Sequence, residues 1–235
     1  MISKQELMQQ IKGRIIVSCQ ALQHEPLHGS DIMAKMAIAA EQGGATAIRA
    51  NSKEDIIAIK KVTQLPVIGI VKRDYPDSDV FITPTLKEVQ ELLEAKTDVV
   101  TIDATSRQRP GNFSLEEMVN YIRHQSKAFI MADISTFEEG VMAIELGADF
   151  ISTTLSGYTS YSPQIEQPDF DLIERLSKLR KVPIIAEGRI ATPAQAKKAL
   201  ELGAFSVVVG SAITRPQLIT KRFVEEVTLL NRNIT

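Results

Sequence analysis

Lys72 and Glu187 are the side chains of this sequence best placed to move a proton. Lys72 follows Pro66-Val67-Ile68-Gly69-Ile70-Val71, an unbroken run of apolar or small residues. A lysine at the end of such a run is desolvated. That disfavours its charged form and lowers its pKa, so it can act as a base or a Schiff-base nucleophile near neutral pH. Glu187 ends a second run, Pro183-Ile184-Ile185-Ala186, and is followed at once by Gly188 and Arg189. An amine and a carboxylate in one mouth suit acid–base work on two faces of a small molecule. The plainer alternatives are a solvated lysine at a loop start and a carboxylate bridged to Arg189 or Arg49. Gly188-Arg189 and Gly210-Ser211 suggest a second task. Glycine lets backbone N–H groups approach an anion closely, and Arg215 could pair with it. Either glycine alone could serve only a turn; together, in the loops after two successive strands, they point to phosphate.

The elements that must hold these residues are short and regular. Besides the two runs above, Ile15–Gln20, Ala45–Ala50, Asp98–Ile102, Lys127–Ala132, Phe150–Thr154 and Ser206–Val209 read as buried strands. Helix starts fall between them. Thr85 with Glu88, Ser114 with Glu117, Ser135 or Thr136, and Thr192 with Gln195 fit N-caps or capping boxes, and Pro193 suits a first helical position. Helices stop at Gly43-Gly44, Gly147 and Gly203. Strand–helix units repeated eight times over roughly 220 residues predict one domain, residues 1–235, folded as a closed (β/α)8 TIM barrel of the phosphate-binding type. A doubly wound open sheet is the rival, but no G-x-G-x-x-G follows the first strand. In the barrel every strand tip faces one mouth, which would collect Ser18, Gln20, Arg49, Lys72, Asp103, Asp133, Thr154, Glu187 and Gly210. Tyr158 and Tyr161 follow strand six and could cover it. Arg107 and Arg109 read as a solvated loop face. A last helix, Thr214 to Asn231, carries Phe223, Val224, Val227, Leu229 and Leu230, which could pack on its own barrel or on a neighbour's.

Bulk composition excludes several functions. A formal net charge of -2 over 235 residues gives no electrostatic case for nucleic acid or an anionic membrane. No apolar run approaches the roughly 20 residues of a membrane span. The N-terminal residues show no apolar secretion core. Cys19 is the only cysteine, so no intrachain disulfide can form, and a reducing, cytoplasmic setting is expected. Cys19 itself reads as a small core residue. His24, His28 and His124 end no strand, so no metal site is expected.

Seven stretches taken together resemble the bacterial N-acetylmannosamine-6-phosphate 2-epimerase family. They are Val17-Ser18-Cys19-Gln20, Ala47-Ile48-Arg49-Ala50-Asn51, Gly69-Ile70-Val71-Lys72-Arg73-Asp74, Ala132-Asp133-Ile134-Ser135-Thr136, Thr154-Leu155-Ser156-Gly157-Tyr158-Thr159, Ala186-Glu187-Gly188-Arg189 and Val209-Gly210-Ser211-Ala212-Ile213-Thr214-Arg215-Pro216. The resemblance implies an isomerase of sialic acid breakdown that needs no cofactor or metal. Lys72 would move the proton at C2 and Glu187 would assist ring opening and proton return. Arg49, Asp133 and Gln20 would hold the sugar and its N-acetyl arm, with Thr154 and Tyr158 beside them. Gly188, Arg189, Gly210, Ser211 and Arg215 would cradle the phosphate. The partner would be a phosphosugar, and the assembly a homodimer. A Schiff-base aldolase or lyase and a non-catalytic phosphosugar-binding barrel remain the alternatives.

Overall fold

The computed structural model describes residues 2–232, with side chains through Leu229 at the C-terminal end. Runs of branched residues form eight short strands: β1 Ile15–Cys19, β2 Ala47–Asn51, β3 Val67–Ile70, β4 Val99–Asp103, β5 Phe129–Asp133, β6 Phe150–Ser152, β7 Ile184–Ala186 and β8 Ser206–Val209. Each pairs in parallel with its sequence neighbours, and β8 returns to β1, so the sheet closes as the expected (β/α)8 barrel. The helices between them are α2 Ser30–Gln42, α3 Lys53–Lys60, α4 Leu86–Glu94, α5 Leu115–Gln125, α6 Phe137–Glu145, α7 Phe170–Lys178 and α8 Pro193–Glu201. The capping boxes anticipated at Thr85/Glu88, Ser114/Glu117 and Thr192/Gln195 form, and Thr136, not Ser135, caps α6 with Glu139.

Side chains alternate across each strand, so two cores result. Cys19, Ile48, Val67, Val100, Ile130, Ile151 and Ile184 face the helices in the outer layer. Ile16, Ala47, Ile68, Val99, Met131, Phe150, Ile185 and Val208 face inward and fill the barrel's N-terminal half. That inner core is closed by a helix not foreseen from the sequence, α1 Lys4–Ile11. Ser3 and Glu6 form its capping box, and Leu7 and Ile11, one turn apart, pack against the inward residues. Two residues further along, the inward positions turn polar on six of the eight strands (Ile70 and Gly210 are the exceptions), and that half of the barrel opens to the mouth.

Two other expectations need correction. The last helix is broken. Ser211–Thr214 forms a single turn, α9, and Pro216 then starts α10, Pro216–Arg232, from the first helical position that proline favours. Phe223, Val224, Val227 and Leu229 on α10 are exposed, so they do not pack on the protein's own barrel; the Leu230 side chain lies outside the described residues. Arg107 and Arg109 are not a solvated face. Arg109 is buried and donates to the Asp103 carbonyl. Arg107 pairs with the buried Asp103 carboxylate at 2.7 Å. The loop after β4 folds back over its own strand, and these two donors meet the groups it covers. Among the described residues no helix is long and apolar enough to cross a membrane.

Candidate active site

Arg49 stands inside the barrel on β2 with its side chain only 1% exposed. A buried guanidinium must be paired. Its Nη1 and Nη2 grip both oxygens of Asp133, at the tip of β5, at 3.1 and 2.5 Å. Nη1 also donates to Oε2 of Glu187 at 2.5 Å. The Thr154 hydroxyl joins this knot, 2.9 Å from Asp133 Oδ1 and 3.2 Å from Glu187 Oε2. Burial works against the Arg49 charge, but the two carboxylates outweigh it and hold the guanidinium firmly protonated. Burial pushes the Glu187 carboxyl above its ordinary range; Asp133 adds to this, while Arg49 and Lys72 oppose it.

Glu187 is fixed from behind as well. Its backbone N–H donates to Thr153 Oγ1 at 3.1 Å, and that hydroxyl donates to the Glu187 carbonyl at 2.9 Å. Among the described residues its Oε1 has no hydrogen-bond partner, while the side chain lines the cavity. One oxygen is therefore anchored and the other is left unpaired on a side chain that lines the cavity.

Lys72 continues the line of β3. Its backbone N–H donates to Asn51 Oδ1 at 2.7 Å, which ties it to the tip of β2. The following loop folds back, so that Lys72 pairs with Ile82 in an antiparallel bridge and Arg73 N–H meets the Phe81 carbonyl at 3.0 Å. Ile82 packs with Ile70 and Leu155. Ile82 and Leu155 line the same cavity as Lys72. Burial, then the positive charges of Arg49 and Arg215, bring the Lys72 ammonium down to about 8, against the pull of Glu187 and Asp133. Among the described residues the amine has no ion-pair partner.

One cavity of about 350 Å³ collects these groups. Lys72 and Glu187 both line it, with Gln20, Thr154, Tyr158, Gly188, Arg189, Gly210, Ser211 and Arg215. Arg49 and Asp133 are not part of its wall; they lie behind Glu187 and hold it. Gln20 donates to Ser18 Oγ at 2.8 Å, and Gly210 packs against the Ser18 side chain. Gly188 sits at φ +103°, a conformation side chains resist. The Arg189 guanidinium donates to the Ser156 and Gly157 carbonyls at 2.6 and 2.7 Å and lies 4.4 Å from the Tyr158 ring centroid. It ties the loop after β7 to the loop after β6, and an added Cβ at Gly157 would run into it. Arg215 is bound to Glu25 of the loop after β1, at 2.7 and 2.9 Å, and to Ser211 at 3.1 Å.

Several residues of the site escaped the sequence reading. Ser152 bonds to Thr154 at 2.8 Å, and Thr153 and Asn51 hold Glu187 and Lys72. Period-two alternation puts Ser152 and Thr154 on the same inward face, a usable signal for the first. Glu25 gave no local signal. Among the described residues no three His, Cys, Asp or Glu side chains are grouped as a metal site.

Known proteins resemble this chain over nearly its whole length. Residues 33–229 match the family model described as "Putative N-acetylmannosamine-6-phosphate epimerase". A Clostridium perfringens protein named "Putative N-acetylmannosamine-6-phosphate 2-epimerase" is 58% identical over 92% of this chain and 97% of its own length. A Staphylococcus aureus protein of the same name is 55% identical over 90% of this chain and 96% of its own. The solved structure of the N-acetylmannosamine-6-phosphate 2-epimerase from Clostridium perfringens superposes with a TM-score of 0.92 at 55% identity, covering 96% of this chain and 98% of that one. A thiamine phosphate pyrophosphorylase from Pyrococcus furiosus, 18% identical with a TM-score of 0.61, shares the fold.

Proposed function

Because the chain belongs to the N-acetylmannosamine-6-phosphate epimerase family, we propose that it interconverts N-acetylmannosamine 6-phosphate and N-acetylglucosamine 6-phosphate. The observation that carries this reading is the single cavity shared by a lysine brought to about 8 and an anchored carboxylate with one oxygen unpaired. The C2 proton of a closed sugar ring is not acidic. Opening the ring gives an aldehyde and places C2–H beside a carbonyl. Glu187 Oε1 exchanges the proton that opens and recloses the ring. The neutral Lys72 amine removes the C2 proton, leaving an enolate whose negative oxygen is stabilised by the positive potential of the mouth. Returning a proton to the opposite face completes the epimerisation, and the raised Glu187 carboxyl is suited to deliver it. No electrons leave the substrate, so the reaction needs no redox cofactor, and we assign it no metal either.

The phosphate binds at Gly188, Gly210, Ser211 and Arg215, at a distance from C2 that lets its binding energy serve positioning. Arg189 contributes by holding the Tyr158 loop at the rim. Arg49 and Asp133 orient Glu187, and Gln20 and Thr154 face the sugar. Among the described residues Phe223, Val224, Val227 and Leu229 of α10 are exposed, which supports a homodimer in which a second copy covers them. Phosphosugars of this kind are formed and used inside cells, so the setting is the cytoplasm.

The deciding experiment incubates the pure protein with N-acetylmannosamine 6-phosphate in heavy water with excess chelator. Deuterium at C2 of the N-acetylglucosamine 6-phosphate product is expected. Turnover without solvent deuterium at C2 would remove the proton-transfer reading. A borohydride adduct on Lys72 would replace it with a Schiff-base lyase.

A further inference from the structure

Arg215 reaches the cavity from the junction of α9 and α10, and its guanidinium is not free to turn. Glu25, 190 residues earlier in the loop between β1 and α2, accepts from Nη2 at 2.9 Å and pairs with Nε at 2.7 Å. The carboxylate thus sits on the Nε/Nη2 side of the fork, hydrogen-bonded through Nη2 and in ionic contact with Nε. The other edge, carrying Nη1, meets Ser211 Oγ at 3.1 Å, beside Gly210 and on the cavity wall. Glu25 is itself held in place. Leu22 N–H donates to its Oε2 at 2.8 Å and Gln217 Nε2 to its Oε1 at 3.2 Å. Burial pushes the Glu25 carboxyl up, but the Leu22 N–H and the Arg215 guanidinium outweigh it and hold the carboxyl below its ordinary range. Its side chain is 12% exposed, whereas that of Arg215 is 24% exposed and lines the cavity.

We propose that Glu25 is a positioning residue for the anion subsite: by taking one edge of the Arg215 guanidinium it aims the other at the phosphate beside Gly210 and Ser211. This rests on the reading that the phosphate binds there. The arrangement also joins two strand-end loops. The loop after β1 and the α9–α10 junction after β8 are adjacent in the closed barrel, and Glu25 is the side chain that fastens one to the other at the cavity edge. The sequence separation explains why nothing in either local stretch signals the pair.

The geometry opposes a purely electrostatic account, and the two predict opposite signs. If Glu25 only neutralised Arg215, its removal would make the subsite more positive, and anions would bind more tightly. If it aims Arg215, removal lets a flexible cation swing away, and anions bind more weakly. The test measures binding of inorganic phosphate to the full chain by calorimetry, with steady-state kinetics on N-acetylmannosamine 6-phosphate alongside. For Glu25→Gln, phosphate affinity and 1/KM should each fall about tenfold, the scale of one charge-assisted contact. Turnover at saturation should change little. In an Arg215→Ala background the same change should have no further effect, because Glu25 acts only through that side chain. That second comparison guards against a general loss of folding, which would appear in both backgrounds and in kcat. Equal or tighter phosphate binding by Glu25→Gln overturns the proposal, as does an undiminished effect of Glu25→Gln in the Arg215→Ala background. Failure of the wild-type protein to bind phosphate while still turning over the sugar overturns the subsite and Glu25's role with it. Phosphate binding that responds to both substitutions, in a protein without epimerase activity, supports Glu25 and strikes only the functional reading.

Discussion

The two halves of the barrel are built from the same strands with opposite chemistry. In the lower half Ile16, Ala47, Ile68, Val99, Met131, Phe150, Ile185 and Val208 meet Leu7 and Ile11 of α1 in a closed apolar core. Two residues further along, the same strands present Ser18, Arg49, Ile70, Thr101, Asp133, Ser152, Glu187 and Gly210. The lower half excludes water by packing. The upper half opens to the cavity and pairs its buried charges, and burial there shifts the proton affinities of Lys72 and Glu187. One half therefore carries stability without chemistry, and the other carries chemistry at a cost in stability.

The largest effect is expected at Lys72. Lys72→Ala should lower kcat/KM by about 10³-fold or more, the upper range for a positioned acid or base. The rising limb of the wild-type pH–rate profile should have its midpoint near 8, because the amine must be neutral to take the proton and burial lowers it to that value. A pH profile that is flat between 6 and 9 would remove Lys72 as the base. Stability should move the other way. The folded amine titrates near 8 and the unfolded one near 10.5, so the unfolded chain binds more protons between those values. Stability from this group therefore rises with pH across that window, and below about 8 its penalty is full. At pH 7 Lys72→Met should relieve roughly 2–3 kcal/mol, allowing for partial solvent screening. Urea denaturation of an inactive but more stable variant would be the signature of a functional charge. A less stable Lys72→Met would mean that the amine is structurally paired.

Arg49 comes next. Arg49→Met removes the cation between Asp133 and Glu187 and leaves two carboxylates facing each other in a dry site. Breaking a buried pair in this way costs about 3–5 kcal/mol. Activity should also fall, because Glu187 loses the anchor on its Oε2. Adding Asp133→Leu to Arg49→Met should recover part of the stability and none of the activity. Recovery of both would show that the knot is a structural feature of the barrel and does not orient Glu187.

How much of this was legible in the sequence depends on the range of each interaction. The strands were readable because branched runs such as Pro183–Ala186 end at a charge, and the helices because capping boxes are local patterns of four residues. The inward tips followed, since a barrel turns every strand end to one mouth. Pairings between tips did not follow. Arg49 could be assigned to the mouth, but its grip on Asp133, 84 residues away, is set by barrel register and not by any local pattern. Arg109 read as solvated because its partner is a backbone carbonyl, that of Asp103, which carries no sequence signal. Two misses had usable signals. Ser3 with Glu6, ahead of Leu7 and Ile11, is a capping box with an apolar stripe, and Pro216 marks a fresh helix start.

The lower half should respond in the opposite sense. Leu7 is fully buried at the foot of the inner core. Leu7→Ala should cost about 2–5 kcal/mol by lost burial and a residual cavity. The kinetic constants of the molecules that remain folded should stay within about twofold, since the rigid wall of the barrel separates Leu7 from the mouth. A change in kcat matching the loss of stability would mean that the two halves are not independent and that packing at the foot sets the geometry at the tips.

The smallest effect belongs to the rim, where the division between halves is least strict. Tyr158 is 53% exposed, lines the cavity and carries the Arg189 guanidinium on its ring. Such a stack at a half-exposed position is worth roughly 0.5–1 kcal/mol. Tyr158→Ala should therefore raise KM about two- to fivefold and leave kcat unchanged, because the ring steadies a loop over the substrate and touches no proton in flight. Among the described residues its hydroxyl has no hydrogen-bond partner, so Tyr158→Phe should behave as wild type. If Tyr158→Phe instead raises KM as much as Tyr158→Ala, the hydroxyl itself meets the sugar, and the rim belongs with the tips as a recognition surface.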